Sequence, residues 1–307
     1  MSRTHAAGNF FFLLDGEPTA AVLGNVGGGE LKMEQAEIAH STELHVQKTG
    51  SNASFSPISF DVSAAMLSKG LLAWFDLTTQ RVSEGATKNR KNGWWGTLTA
   101  DSKVARSKTF NEALITKVGG FDAKASDKGG SFNIQVEIQP ELVQDVKGDG
   151  SDQKLTVTPG VKKLTKYNFR CGGLAGANLK RVSEVTGAGF TQKTASLLSG
   201  EARFPEIEPA GITYNDIKIT LPQKDADWAF EWLDDAVRLG NYGADKERQF
   251  SLAFLDTAFK EELVNIDFDE VMIKTISEPK KENNKAEIAM VTIDLMVGKM
   301  TIKSNIT

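Results

Sequence analysis

Several residue groups in this chain have the types and spacing that chemistry uses. Gly24-Asn-Val-Gly-Gly-Gly-Glu30 has the glycine content of a phosphate loop. Such a loop needs Gly-Lys-Ser/Thr leading into a helix, so that backbone amides and an ammonium converge on the anion. Neither follows here, so the run reads as a turn or bulge between strands. The three histidines are His5, His40 and His45. His40 and His45 have four residues between them, half of a zinc-finger spacing, but the cysteine pair that would complete the site is absent. Residues five apart on a strand also face opposite ways, so these imidazoles read as solvated, in or near a loop. Asp225, Asp227, Glu231, Asp234 and Asp235 crowd one helix. Paired carboxylates can do acid/base work, yet these lie mostly away from the apolar stripe and read as a solvated face.

Lys88-Asn-Arg90-Lys91 precedes Trp94-Trp95 and mixes cations with aromatic rings, as single-stranded nucleic acid sites do. The formal net charge of -4 gives no basic field to hold phosphates, so a loop before a strand start is the better reading. Cys171 is the only cysteine. It can form no intrachain disulfide, has no Cys/His cluster around it, and reads as a small strand residue made in a reducing compartment. With no nucleophile and base in evidence, the expectation is no catalytic site, no metal and no cofactor.

These elements sit in 307 residues, too many for one ordinary domain and comfortable for two. Hydrophobic residues are 40% and charged residues 25%, the balance of a soluble globular protein. The apolar run Phe10 to Leu14 is too short for a signal sequence, and no stretch approaches a membrane span. Synthesis in the cytoplasm and no membrane insertion are the expectations.

The main feature is internal repetition. Trp74-Phe75-Asp76 returns as Trp232-Leu233-Asp234, 158 residues on (232 − 74). Phe110-Asn-Glu-Ala-Leu-Ile115 returns as Phe268-Asp-Glu-Val-Met-Ile273, again at 158 (268 − 110). Phe132, Ile134, Val136 and Ile138 alternate with polar residues, and Ala289, Val291, Ile293 and Leu295 repeat them at 157 (289 − 132). Such an offset, kept through a helix, a loop and strands, marks a duplicated domain. Phe11 to Leu14, ending in Asp15-Gly16, corresponds to Tyr167 to Cys171, ending in Gly172-Gly173, and both pairs are hairpin signals. The expected division is 1–145, a linker 146–164 in which Lys154 to Thr158 could pair as a strand, and 165–307.

Each copy reads as strands, one helix, then three or four strands, which makes a sandwich or partial barrel with a helix on its flank. In the second copy Ile217 to Leu221 is a strand and Asp225 caps a helix that runs to about Arg238, with Gly240 at its end. Trp228, Ala229, Trp232, Leu233 and Ala236 form its apolar stripe. In the first copy Ile58 to Val62 is the strand, Ser63 the cap, and Leu67, Leu71, Trp74 and Phe75 the stripe. The tryptophans read as core packing of helix on sheet.

At this point the chain resembles the tail tube proteins of contractile phages and related injection systems. The resemblance lies in Gly211-Ile-Thr-Tyr214 leading into a strand, the helix with Trp232 near its end, Phe250 to Leu255, the long strand Val264 to Ile276, and the closing strand Glu287 to Val297. Tyr167 to Arg170 and Arg181 to Val185 fit too, so it covers nearly all of Thr165 to Lys303. The first copy resembles the family mainly through the second, and departs in Trp94-Trp95 and in the loop Glu43 to Ser56. Family members are single domains, whereas this chain carries two.

The resemblance implies six-membered rings around a pore, stacked into a tube. It also implies that the helix and a long loop touch neighbouring subunits. The matching loops are Glu43 to Ser56 and Ser199 to Tyr214. Arg203, Phe204, Glu206, Ile207, Glu208, Tyr214, His45 and Lys48 are the expected assembly residues. The implied partners are copies of the chain itself and sheath or baseplate proteins of one virion tail or injection particle, without specific nucleic acid binding. A baseplate hub or tube-adaptor ring is the nearest alternative, and a β-sandwich module binding a ligand such as carbohydrate the more distant one.

Overall fold

The computed structural model describes residues 9–17, 21–38, 47–64, 67–79, 89–99, 101–127, 132–148, 164–174, 176–200, 202–278 and 288–305. The three histidines and the stretch Lys154 to Thr158 lie outside them. The first half contains β1 (Asn9–Leu14), β2 (Ala21–Gly28), β3 (Leu31–Ile38), β4 (Gln47–Phe55), β5 (Ile58–Ser63), helix α1 (Lys69–Thr79), β6 (Lys91–Leu98), β7 (Val104–Gly119), β8 (Ala123–Lys124), β9 (Asn133–Gln139) and β10 (Leu142–Lys147). The second contains β11 (Phe169–Gly173), β12 (Glu184–Thr186), β13 (Phe190–Leu197), β14 (Glu206–Tyr214), β15 (Ile217–Pro222), α2 (Asp227–Leu233), β16 (Arg248–Leu255), β17 (Glu262–Ser277) and β18 (Met290–Ser304). The described residues are therefore mainly β, with one α-helix in each half.

In the first half β1, β6, β7, β9, β5 and β2 pair in that order, and β2 returns to β1, so this sheet curls closed. In the second half β11, β16, β17, β18, β15 and β12 follow the same order. There β12 takes β8 of the first half on its outer edge instead of β11. Registers match as well. Gly93 pairs with Phe110 and Phe250 with Phe268; Val118 with Val136 and Ile276 with Ile293; Ile58 with Ile138 and Ile217 with Leu295.

Even the irregularities recur. The register shifts between Lys91 and Gly93 and again between Arg248 and Phe250. Left-handed backbone, rare for a residue with a side chain, occurs at Glu112 and Glu270, and at Ser102 and Phe259. Gly28 and Gly187 both have positive φ, and a Cβ at either would strike a backbone carbonyl oxygen, that of Pro57 or of Asp216. The halves differ at Pro140, which lacks the N–H a ladder needs and separates β9 from β10. Its counterpart β18 runs unbroken, and both β10 and the end of β18 stay on the long strand beside them.

Alternation places the core. Ile134, Val136 and Ile138 of β9 and Val291, Ile293 and Leu295 of β18 are all buried. Trp74 is fully buried and Trp232 nearly so, each under its helix. One cluster of buried side chains runs through both halves, and Phe132 stacks on Phe254 across the junction at 4.2 Å.

Three local expectations are corrected. Ser63 ends β5, and Ser68 Oγ accepts the hydrogen bond from the Leu71 amide at the start of α1. Asp225 lies in a 3-10 turn, Gln223–Asp225, and pairs with Arg181 at 3.1 Å; α2 begins after Ala226 without a side-chain cap. Gly172 and Gly173 belong to β11, whose described partner is β16, so they make no hairpin turn. The second helix does reach Arg238, through a π-helical turn Asp234–Arg238, and Gly240 has the positive φ of a helix end.

Candidate assembly interface

The segments expected to be docking loops are arms of hairpins. β13 and β14 pair along their length, as do β3 and β4. Polar side chains that alternate with few apolar ones leave both hairpins without a complete core of their own, so each needs a surface to lie on.

The second-half hairpin finds one on the first half. Phe190 pairs with Val118 and Thr191 with Lys117, so β13 extends the first-half sheet beyond β7. At its far end Phe204 packs on Phe55 with ring centroids 5.2 Å apart. The Ile207 amide donates to Glu141 Oε1 at 2.8 Å, and the Ile207 side chain is buried. Arg90 lies between Glu141 and Glu208; its guanidinium donates to both, at 2.6 Å to Glu208. The Arg90 side chain is only 10% exposed, so this charge leaves water because two carboxylates replace the solvent. Phe204, Ile207 and Glu208 thus meet this chain's own first half, while Arg203 and Glu206 are exposed. Lys48 is exposed on β4 and pairs with Glu37 at 3.6 Å, and His45 lies outside the described residues.

Arg90 therefore serves the junction and not a basic patch for nucleic acid. Nearby, Trp94 meets Phe11 edge-on at 4.8 Å and Lys108 lies over Trp95. Arg90 and Glu141 are not among the expected interface residues, and Phe55 is expected only as part of the loop Glu43 to Ser56. Their partners lie 51 to 149 positions away in sequence, and no local pattern links them.

α1 lies against β18. Asp76 and Thr79 of α1, Gln192 and Tyr214 of the hairpin, and Glu270 and Lys299 line the open groove between them, of about 1160 Å³. Burial holds the Tyr214 phenol above its ordinary range, and the Glu270 carboxylate adds to this. Burial also raises the pKa of Asp76. The folded chain then keeps the Asp76 proton to higher pH than the unfolded chain, so stability falls as pH rises from the ordinary value of 3.8. Asp76→Asn is expected to raise the melting temperature at pH 7, with the gain vanishing below pH 3.8. Thermal melts at several pH values check this; a pH-independent difference would contradict it.

Asp234 pairs with Arg238 at 2.8 Å and Asp235 with Lys246 at 3.8 Å, while Asp227 and Glu231 are exposed. Gly24 to Gly28 lie in β2, which carries a register shift between Leu23 and Val26 against β5. Cys171 sits in β11, and burial pushes its thiol up to about 12, so it stays protonated. Among the described residues no helix is long and apolar enough to cross a membrane.

No family model matches the chain, and no curated protein matches it. Solved structures do. The cap of the anti-feeding prophage, described as a tube terminating cap, is 18% identical over 46% of this chain and 91% of its own, with a TM-score of 0.40. A chain of the PVC sheath-tube complex, an extracellular contractile injection system in its extended state, is 14% identical over 46% of this chain and 91% of its own, with a TM-score of 0.39. Hcp1 from Flavobacterium johnsoniae is 16% identical over 47% of this chain and 97% of its own, with a TM-score of 0.30.

Proposed function

We propose that this chain is two copies of one tail-tube-like domain, residues 1–145 and 165–307 joined by 146–164. Its role is to build rings in a contractile tail or injection machine, and it has no catalytic activity. The observation that carries the reading is the seat of the β13–β14 hairpin on β7. One half completes its neighbour's sheet with a hairpin, as separate subunits do in β-augmentation, but here the two are covalently joined. The matched strand order and registers of the halves support the duplication. The partners in this reading are further copies of the chain and the sheath or baseplate proteins around it.

Six domains per ring, two from each chain, require three chains. Closure removes the sheet edges and exposed hairpins that would otherwise invite open-ended association. Mass measurement of the assembled particle, with its symmetry from electron microscopy, is expected to give three chains and pseudo-six-fold density. Six chains per ring would contradict the stoichiometry, and a monomer at every concentration would contradict ring building altogether. The divergence of the halves at Pro140 favours a second reading, a hub or adaptor that joins a six-fold tube to a three-fold neighbour. Imaging of whole particles separates the two: one ring at a tube end for the adaptor, many along the tube for the tube subunit.

A further inference from the structure

Among the described residues, the contacts that join the halves have counterparts whose side chains are more exposed. Phe190 and Gln192 of the seated hairpin are 0% and 5% exposed. The residues 159 positions earlier (190 − 31, 192 − 33) are Leu31 and Met33 of the β3–β4 hairpin, and these are 62% and 69% exposed. Val118, under the seated hairpin, is fully buried, whereas its counterpart Ile276 on β17 is partly exposed. Among the described residues no strand pairs with β17 on its β16 side beyond Val271, a stretch that includes the counterparts of Lys117 and Val118, where β13 pairs with β7. The helices show the same asymmetry. Leu72 of α1 is partly buried against the shared core, while its counterpart on α2, Phe230, is 37% exposed, and Val237, the counterpart of Thr79, is 61% exposed. Phe230, Leu233 and Val237 line an open groove with Arg238. The segment of β18 that lines the groove beside α1 corresponds to β10.

We infer that the first-half hairpin of one copy of this chain seats on the β17 edge of a second copy, while the second copy's α2 packs on the first copy's β10. This rests on the ring-building reading and names its surfaces. The two contacts are mutually consistent, since both join the second half of one copy to the first half of the next. That is the relation the halves already have within one chain, where β13–β14 lies on β7 and α1 on β18. Repeating it gives a head-to-tail interface, in which each copy offers two different surfaces and a closing rotation makes a ring. Leu31, Met33, Phe230 and Val237 are apolar and exposed where their counterparts Phe190, Gln192, Leu72 and Thr79 are wholly or partly buried, so a second copy of this chain is the occupant that fits.

The test uses full-length chains. One variant carries Leu31→Asp and Met33→Asp, the other Phe230→Asp and Val237→Asp. All four sites are exposed, so each variant is expected to keep the wild-type circular dichroism spectrum and melting curve. Each alone is expected to lose the ring and sediment as one chain. Mixed, the two retain one intact surface each that is complementary to the other's, and the expected product is a two-chain complex at a 1:1 ratio that grows no further. Rings persisting in either variant, or a mixture that stays single-chain, would overturn the head-to-tail surfaces while wild-type rings left ring building standing. A wild-type chain that never assembles would overturn both.

Discussion

Alanine at Trp74 is expected to lower the stability of the chain by about 3–5 kcal/mol, the cost of removing a large aromatic side chain from a core. Trp74 is fully buried, with a relative exposure of 0%, and its indole N–H donates to the Asn89 carbonyl at 2.7 Å. The substitution leaves a cavity between α1 and the sheets and a carbonyl without its donor, and the surrounding strands cannot collapse to fill it. Trp232→Ala belongs in the same range. Its ring is 3% exposed and lies under the Arg248 guanidinium at 4.2 Å. Asp235→Ala on the same helix is the control. It loses a hydrogen bond from Asn241, a long pairing with Lys246 and the attraction of the half-exposed Arg248, and should cost about 0.5 kcal/mol. Chemical denaturation of the three variants decides it; equal midpoints for Trp232→Ala and Asp235→Ala would show that the helix face is wrongly oriented.

Glu141→Ala is expected to cost about 3 kcal/mol and to loosen the hairpin seat. Glu141 accepts from both Arg90 and the Ile207 amide, and its removal strips a buried guanidinium of one of its two carboxylates. Breaking a buried pair by deleting one partner costs about 3–5 kcal/mol, and Glu208 keeps the loss at the lower end. Glu208→Ala should cost less, about 1 kcal/mol or below, because its carboxylate is 51% exposed and water replaces it. Amide exchange adds a reading that overall stability does not. In Glu141→Ala the amides of β13 and β14 should exchange faster than those of β15 and β17, whereas uniform acceleration would place the loss in the core instead.

What the sequence by itself determined was whatever is periodic or repeated. Alternation in Phe132 to Ile138 and in Val291 to Leu295 settles which faces are buried, because a strand's side chains must alternate. The stripe of Trp228, Ala229, Trp232 and Ala236 orients α2 through the 3.6-residue turn. The recurrence of Phe110 to Ile115 at Phe268 to Ile273 carries the register, since segments with the same apolar order pair alike. Local ends were less legible: Ser68, not Ser63, meets the first helix, because either serine satisfies the cap pattern and only the length of β5 chooses.

Tertiary structure alone decided where each hairpin goes. The two have the same length and the same bulge position, yet β13–β14 lies on the first half and β3–β4 forms a sheet of its own. Nothing local separates them. The difference is that the first half's β7 edge lies within reach of the second hairpin in the same chain, where Glu141 and Arg90 meet Ile207 and Glu208 from 66 and 118 residues away. A contact so remote has no periodic signature, because its partners are brought together by the fold of the strands between them and by no rule of neighbouring residues.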